Sequence, residues 1–167
     1  MPDKYDMLKI ENQLCFPLYA SAKEVVKKYR PFLEQIDLTY TQYITMMVLW
    51  EYNQMNVKTL GERLYLDSGT LTPLLKKLEN KGLVSRKRSD KDERNITVTV
   101  TEKGMELREK AVEIPSKIGG CINLSPEEAL TLYRLLYKVL GKDTFTEINS
   151  RTAPAAVSRS VSSPGKR

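Results

Sequence analysis

The sequence predicts a mostly helical fold with one small β-hairpin, arranged as a winged helix-turn-helix. Three observations support this fold class. Apolar residues recur at helical spacing along most of the 167-residue chain. The spacing changes to the alternation typical of strands only over residues 83–100. Two short helical segments directly precede that alternating stretch, and helix, helix and hairpin in this order define the class.

Composition narrows the possible functions. The length suits one domain, which we expect to span residues 1–150. The chain has no apolar run of 18 residues and no apolar leader, so we expect a cytoplasmic protein that does not enter a membrane. Histidine is absent, which excludes Ser-His-Asp and Cys-His catalysis and the commonest metal ligand. The two cysteines are 106 positions apart and do not form a zinc site. We therefore expect neither an enzyme nor a protein with a metal or other cofactor.

The net charge of +6 is concentrated at the end of the chain. Residues 151–167 contain four basic residues and no acid, which leaves about +2 for residues 1–150. The same tail is rich in Ser, Ala and Pro without periodicity, so we expect it to be disordered. Binding to nucleic acid must therefore rest on a local basic patch.

The first helix is predicted from about Leu8 or Glu11 to Tyr29, and Pro31 helps to end it. Residues 32–36 then form a separate helical turn or two. Because Pro17 cannot donate a backbone hydrogen bond, we expect the helix to kink or restart near Cys15. A cysteine at a helix start favours the thiolate form.

One face of this helix carries a cysteine and two tyrosines. The spacing of 4, 3, 4 and 3 residues places on that face Cys15, Tyr19, Ala22, Val26 and Tyr29. A thiol beside tyrosines is a candidate redox site. The alternative interpretation is that Cys15 is a small hydrophobic residue in the core, because free cysteine is among the most buried residue types.

The next helix is predicted over Tyr40 to Tyr52, where Thr39 caps it and Gln42 completes a capping box. This helix is apolar nearly all round, which predicts burial at the centre of the domain or of a dimer.

The helix-turn-helix follows. Its first helix covers residues 57–66, and its second begins at Asp67 or Ser68 and ends at Gly82. The second helix buries a stripe formed by Leu71, Leu74, Leu75 and Leu78. Strands over residues 83–88 and 95–100 form the wing, joined by a charged tip at residues 89–94.

Helical spacing returns from Thr101, where a further helix begins. Pro115 and the pair Gly119-Gly120 interrupt it. The last helix begins at Ser125, a capping residue followed by Pro126 and two acids, and ends near Gly141 or a few turns later.

A local excess of positive charge falls on the second helix and the wing. Residues 76–94 contain eight basic residues and four acids, a net charge of +4. This position is where a winged helix meets DNA phosphates. The predicted DNA-binding residues are Ser68, Thr70, Thr72, Pro73, Lys76, Lys77, Arg86, Lys87, Arg88, Asp92 and Arg94. Among these, Arg94, held by Asp92, suits a narrow minor groove.

Two stretches carry a resemblance to a known family. Residues 66–79, with Arg86–Arg88 and Asp92–Arg94, resemble the MarR family of transcription regulators. The front of the chain, residues 12–20, resembles the OhrR branch of that family, the organic-hydroperoxide-sensing repressors. The resemblance covers about residues 5–140. It implies a homodimer on a pseudo-palindromic operator of double-stranded DNA, with residues 1–36 and 104–150 forming the dimer core and residues 40–103 the winged helix-turn-helix.

The resemblance also implies a mechanism. In the OhrR branch, organic hydroperoxides oxidise the cysteine that matches Cys15. Tyrosines of the partner subunit that match Tyr29 and Tyr40 approach this thiol, and the tyrosine that matches Tyr19 lies nearby. The resulting sulfenic acid is resolved either by Cys121 across the dimer or by a small thiol such as bacillithiol or glutathione. Oxidation then releases the repressor from DNA.

Three other functions remain open at this point. The first is a MarR-like regulator that binds a phenolic ligand, with Cys15 structural. The second is a thiol peroxidase that uses Cys15 catalytically. The third is an architectural DNA-binding protein without an effector. Release from DNA by a ligand without thiol chemistry would identify the first, steady-state peroxide consumption the second, and a DNA affinity that ignores redox state the third.

Overall fold

The computed structural model describes residues 3–88 and 96–141, and it confirms the predicted fold class. The chain divides into two compact units, Met1–Val112 and Glu113–Arg167. The described elements of the first unit are two 3-10 turns (Asp6–Leu8 and Ile10–Asn12), α1 (Cys15–Glu34), α2 (Tyr40–Tyr52), β1 (Gln54–Asn56), α3 (Val57–Leu64), α4 (Ser68–Asn80), β2 (Val84–Arg88), β3 (Ile96–Val100) and α5 (Glu102–Ala111). The second unit contains α6 (Ile114–Gly119) and α7 (Pro126–Val139). No helix in the described ranges is long and apolar enough to span a bilayer.

Helix α1 begins at Cys15, which confirms that the helix starts near this residue. The chain before it forms 3-10 turns, so the prediction of helix from Leu8 or Glu11 was wrong. Pro17 lies in the first turn, where a missing N–H breaks no helical bond. The prediction that Pro31 ends the helix was also wrong. The last turn continues past Pro31 because Leu33 is buried there, and its packing outweighs the one lost backbone bond.

Helix α2 has the predicted bounds and the predicted capping box. The Gln42 backbone N–H donates to Thr39 Oγ1 at 3.4 Å, and the Thr39 N–H donates to Gln42 Oε1 at 3.0 Å. The burial is less complete than its composition predicts, since Met47 is 44% exposed. The buried residues of the helix include Tyr43, Met46, Leu49 and Trp50, which form the centre of the first unit.

The wing is a hairpin of β2 and β3 in a three-stranded antiparallel sheet with the order β1-β3-β2. The hairpin confirms the prediction, and its tip lies outside the described residues. Strand β1 was not predicted. It has only three residues, too few for an alternating pattern, and it pairs Met55 with Val98.

Two glycines fix the chain around the end of α4. Gly82 has a φ of +72° and ends the helix as predicted. A Cβ at Gly104 would lie 2.2 Å from the Leu83 carbonyl oxygen, so the start of α5 packs directly against the chain that leaves α4. Thr101 caps α5 by accepting the Gly104 N–H at 3.1 Å, which confirms the predicted helix start.

In the second unit, α7 begins as predicted. Ser125 caps it, Pro126 is its first residue, and Glu128 completes a capping box. The predicted interruptions are confirmed: α5 ends at Ala111, and α6 begins at Ile114 with Pro115 at its second position, where no backbone donor is needed, and ends at Gly119. Residues 142–167, with the predicted tail, lie outside the described residues.

Candidate nucleic-acid interface and thiol site

Helix α4 is anchored at its start by Asp67. The Asp67 carboxylate accepts the Thr70 backbone N–H and the Thr70 hydroxyl, both at 2.9 Å. These hydrogen bonds lower the pKa of the Asp67 carboxyl. The four leucines of the predicted stripe are buried, so the opposite face of the helix turns outward.

That outward face carries most of the predicted DNA-binding residues of the helix. On this exposed face lie Ser68, Thr72, Pro73, Lys76 and Lys77. Thr70 is also exposed, but its hydroxyl is already bonded to Asp67. The structure therefore brings small polar side chains at the front of α4 together with two lysines farther along the same helix.

Four cations of this region are available to a ligand. The basic residues between positions 76 and 88 number six. Two are paired: Lys81 Nζ lies 2.8 Å from Asp37 Oδ2, and Arg86 is paired with Glu79. The other four are exposed and have no ion-pair partner among the described residues; they are Lys76, Lys77, Lys87 and Arg88. Unpaired cations on an exposed surface suit DNA phosphates.

The pair of Glu79 and Arg86 joins α4 to the wing. Arg86 donates to Glu79 Oε2 from Nε at 2.9 Å and from Nη2 at 2.6 Å, and its backbone N–H donates to Oε1 at 3.1 Å. These bonds lower the pKa of Glu79. The sequence pattern predicted Arg86 as a DNA-binding residue and did not indicate its pairing with Glu79, because a separation of seven residues across a helix end has no regular spacing. Asp92 and Arg94 lie outside the described residues.

Cys15 is an exposed free thiol at the first position of α1. The turns before it are held by Asn12 Nδ2, which donates to the Asp6 carbonyl at 2.7 Å, and by the Gln13 amide, which bonds the Met7 carbonyl. This N-terminal segment exposes large apolar side chains, namely Tyr5, Met7, Leu8, Ile10 and Leu14.

The tyrosines of the predicted thiol environment fall into two places. Tyr19 is exposed one turn after Cys15, and its hydroxyl accepts Lys23 Nζ at 3.2 Å. Tyr29 and Tyr40 pack edge to face, with ring centroids 4.9 Å apart. Burial raises the pKa of both Tyr29 and Tyr40, so at neutral pH each phenol is protonated and can donate a hydrogen bond.

A third tyrosine, Tyr43, belongs to this cluster and was missed. Its ring centroid lies 5.9 Å from that of Tyr29, and burial raises its pKa to about 12. It lies in the predicted α2 three residues after Tyr40, and that i, i+3 spacing could have identified it.

Within one chain, the thiol cannot meet the tyrosine pair. Cys15 and Tyr29 share α1 but are 14 residues apart, or about 21 Å along the helix axis. A groove of about 660 Å³ runs along the intervening face, and Tyr19, Val26, Leu33 and Tyr40 are among its lining residues. Contact between Cys15 and the pair therefore requires a second molecule.

Cys121 belongs to the second unit, directly after α6. It is exposed, and its Sγ donates to the Lys117 carbonyl at 3.3 Å. Helix α7 of the same unit exposes an apolar stripe that includes Leu132, Leu135 and Val139. Among the residues with described positions, no cluster of acids and cysteines is suited to a metal ion.

Comparison with known proteins identifies transcriptional regulators as relatives of this chain. Residues 27–111 match the family described as Transcriptional regulator SarA/Rot. The Organic hydroperoxide resistance transcriptional regulator of Bacillus subtilis (strain 168) is 50% identical over 140 residues, which cover 84% of this chain and 95% of that protein. The HTH-type transcriptional regulator SarZ of Staphylococcus aureus (strain USA300) is 46% identical over 134 residues, or 80% of this chain and 90% of SarZ.

Solved structures of AbfR from Staphylococcus epidermidis share the fold. Reduced AbfR bound to DNA is 33% identical, with a TM-score of 0.68, and the match covers 83% of this chain and 96% of that one. Overoxidised AbfR bound to DNA is 34% identical, with a TM-score of 0.68 and coverage of 83% and 98%. Disulfide-formed AbfR is 33% identical, with a TM-score of 0.60 and coverage of 83% and 94%.

Proposed function

The chain belongs to the MarR/SarA family of transcriptional regulators, in its OhrR branch, and we propose that it is a homodimeric repressor released from its operator when an organic hydroperoxide oxidises Cys15. One observation carries the proposal. An exposed thiol at the start of α1 lies far from the half-buried pair of Tyr29, near the other end of α1, and Tyr40, at the start of α2, and it cannot reach that pair within its own chain. Because a second subunit is needed to complete the redox site, oxidation of Cys15 acts on contacts between the two subunits of the dimer.

The described surface supports a dimer. Exposed large apolar side chains are common in the N-terminal segment and in α7, whereas residues 40–111 of the described part expose only Met47 and Tyr65. Apolar side chains concentrated at the two chain ends are typical of surfaces that other proteins cover. A homodimer buries both ends and gives the two copies of α4 that a pseudo-palindromic operator requires.

DNA recognition is assigned to α4 and the wing. Ser68, Thr70, Thr72 and Pro73 lie on the first turns of α4, which enter the major groove in helix-turn-helix proteins. Phosphates on either side of the groove are contacted by the four cations that lack an ion-pair partner among the described residues. Arg94, held by Asp92, keeps its predicted assignment to the minor groove; both residues lie outside the described residues.

The chemistry at Cys15 is a two-electron oxidation. The thiolate sulfur attacks the terminal oxygen of the hydroperoxide, which is transferred to sulfur with its hydrogen as the O–O bond breaks, and the departing alkoxide takes a proton from water to leave as the alcohol. The products are Cys15 sulfenic acid and the alcohol. The partner's Tyr29 and the partner's Tyr40 donate hydrogen bonds to the thiolate before this step, and the raised pKa of both phenols keeps the donors protonated.

The sulfenic acid then reacts with the partner's Cys121. That thiol attacks the sulfenic sulfur, the S–S bond forms, and water leaves. Cys121 is an exposed free thiol beside Gly119 and Gly120, which supports this role. The existence of reduced and disulfide-formed structures of the related AbfR agrees with a disulfide step. The strain of the new bond shifts the dimer helices, so that the two copies of α4 no longer match the fixed spacing of successive major grooves.

A mobility-shift assay tests the proposal. The probe is a duplex selected by the reduced wild-type protein from a random-sequence pool, and the oxidant is cumene hydroperoxide. We expect wild type to release the probe on oxidation, and Cys15→Ser to remain bound because its hydroxyl is not oxidised. Release of Cys15→Ser by peroxide would contradict the proposal, and release by a phenolic compound instead would identify a ligand-responsive regulator.

The disulfide has its own test on a non-reducing gel. Oxidised wild type is expected to run as a covalent dimer, and Cys121→Ala as a monomer that still carries an oxidised Cys15. A covalent dimer of Cys121→Ala would remove Cys121 from the mechanism. In that case a small thiol, or a bond between two copies of Cys15, would resolve the sulfenic acid.

A further inference from the structure

Glu79 is an acid at a position where an acid opposes DNA binding. It lies on α4, and it is the only acid in residues 76–88, a stretch with six basic residues. A carboxylate beside phosphates is repelled by them, so its presence in this stretch calls for a compensating role.

That role is visible in its contacts with the wing. Glu79 accepts three N–H groups of Arg86: the Nε, the Nη2 and the backbone N–H of β2. The Glu79 and Arg86 side chains are 34% and 24% exposed, so most of each side chain is covered by the protein. Arg86 also stands opposite Val98, which is fully buried, in the β2–β3 ladder. The bonds therefore fix the end of α4 against a strand that is itself anchored in the core.

We propose that Glu79 determines specificity by withholding the Arg86 guanidinium from DNA phosphates while it holds the wing in register with α4. Phosphate contacts carry no sequence information, so a free arginine here would strengthen binding to every DNA alike. A wing held at a fixed angle to α4 benefits only the DNA whose grooves match that angle. Glu79 therefore lowers non-specific affinity and raises the preference for the operator.

The size of the effect follows from counterion release. Each phosphate that a protein neutralises makes the slope of log K against log salt steeper by about 0.9. A dimer with two released guanidinium groups would have a slope steeper by about 1.8. This inference rests on DNA binding by a dimer and is independent of the thiol switch.

The test compares two duplexes across a salt series from low to moderate concentration, with reduced protein. One duplex is selected by wild type from a random pool, and the other is its scrambled sequence. The variants are Glu79→Gln, Arg86→Gln and, as a control, Lys87→Gln, which removes the neighbouring cation of β2, one that is exposed and has no ion-pair partner among the described residues. Thermal melting of each variant confirms that it is folded at the assay temperature.

We expect Glu79→Gln to steepen the slope on the scrambled duplex by about 1.8 and to lower the ratio of the two affinities. Arg86→Gln is expected to keep the wild-type slope on the scrambled duplex, whereas Lys87→Gln makes it shallower by about 1.8. The double variant Glu79→Gln/Arg86→Gln is expected to return to the wild-type slope with the lowered ratio, because it has no guanidinium to release.

Two results would overturn the inference. If Arg86→Gln loses as much slope as Lys87→Gln, then Arg86 already contacts phosphate in wild type. If Glu79→Gln changes neither slope nor ratio, the ion pair only stabilises the fold. A wild type without preference for the selected duplex would instead contradict the proposed regulator function.

Discussion

Replacing Trp50 by Phe tests how the core positions the recognition helix. Trp50 is 8% exposed, and its Nε1–H donates to the Gly104 carbonyl at 2.7 Å. The hydrogen bond therefore joins the last turn of α2 to the start of α5, and this glycine in turn packs against the Leu83 carbonyl just after α4. Phe fills most of the same space but cannot donate the bond.

The magnitude follows from two losses. Losing this hydrogen bond costs about 0.5–1.5 kcal/mol, because the Gly104 carbonyl lies within α5 and keeps its helical donor. The smaller ring leaves a cavity whose cost, at about 24 cal/mol per Å³, adds about 1 kcal/mol for a void of some 40 Å³. We therefore expect Trp50→Phe to lower the free energy of unfolding by about 1.5–2.5 kcal/mol, or the melting temperature by roughly 3–10 °C for a chain of this size.

The assay is thermal and urea unfolding followed by circular dichroism, because Trp50 is the only tryptophan and its fluorescence is lost. Tyr52→Phe is the matched control, since it lies on the same helix and keeps its ring beneath the Arg63 guanidinium at 4.4 Å. The control is expected to change stability by less than about 0.5 kcal/mol. Equal stabilities of the two variants would refute the assigned role of the Trp50 hydrogen bond.

Other predictions concern charge and pH. Lys76→Gln is expected to make the salt slope of DNA binding shallower by about 1.8 per dimer, whereas Lys81→Gln, whose ammonium pairs with Asp37, leaves the slope unchanged. Equal slopes for these two lysine variants would contradict the assignment of Lys76 to phosphate. The buried Tyr43 has its pKa raised to about 12 from the usual 10. Because the folded state resists its ionisation, its stabilising contribution is complete below pH 10 and is lost as the pH rises from about 10 to about 12. Tyr43→Phe is therefore expected to lose less stability than wild type over that range in denaturant titrations, and an unchanged pH dependence would show that Tyr43 is not the group involved.

Much of the fold was predictable because its signals are local. The cap at Thr39, the leucine stripe of α4 and the stop at Gly82 each depend on residues within a few positions of one another. The failures have non-local causes. Helix α1 passes Pro31 because Leu33 is buried by distant residues, and β1 exists only because β3 offers it a partner.

The candidate site likewise contains features that local sequence predicts and contacts that depend on the folded chain. The exposed residues of α4 follow from helical spacing, and Cys15 at a helix start follows from Pro17. The engagement of Arg86 by Glu79 was not predictable, because it depends on how the wing folds back on the helix end. The separation of Cys15 from Tyr29 was implicit in the helix length, and it is the reason that the proposed sensor requires two subunits.

The central claim is that the oxidation state of Cys15 sets operator affinity. The most direct measurement is the anisotropy-based dissociation constant of wild type for its selected duplex, taken on one sample when reduced, after one equivalent of cumene hydroperoxide per subunit, and after dithiothreitol. We predict a loss of affinity on oxidation and its recovery on reduction, with no change for Cys15→Ser at any stage. An unchanged dissociation constant for wild type, or an equal loss for Cys15→Ser, would contradict the account.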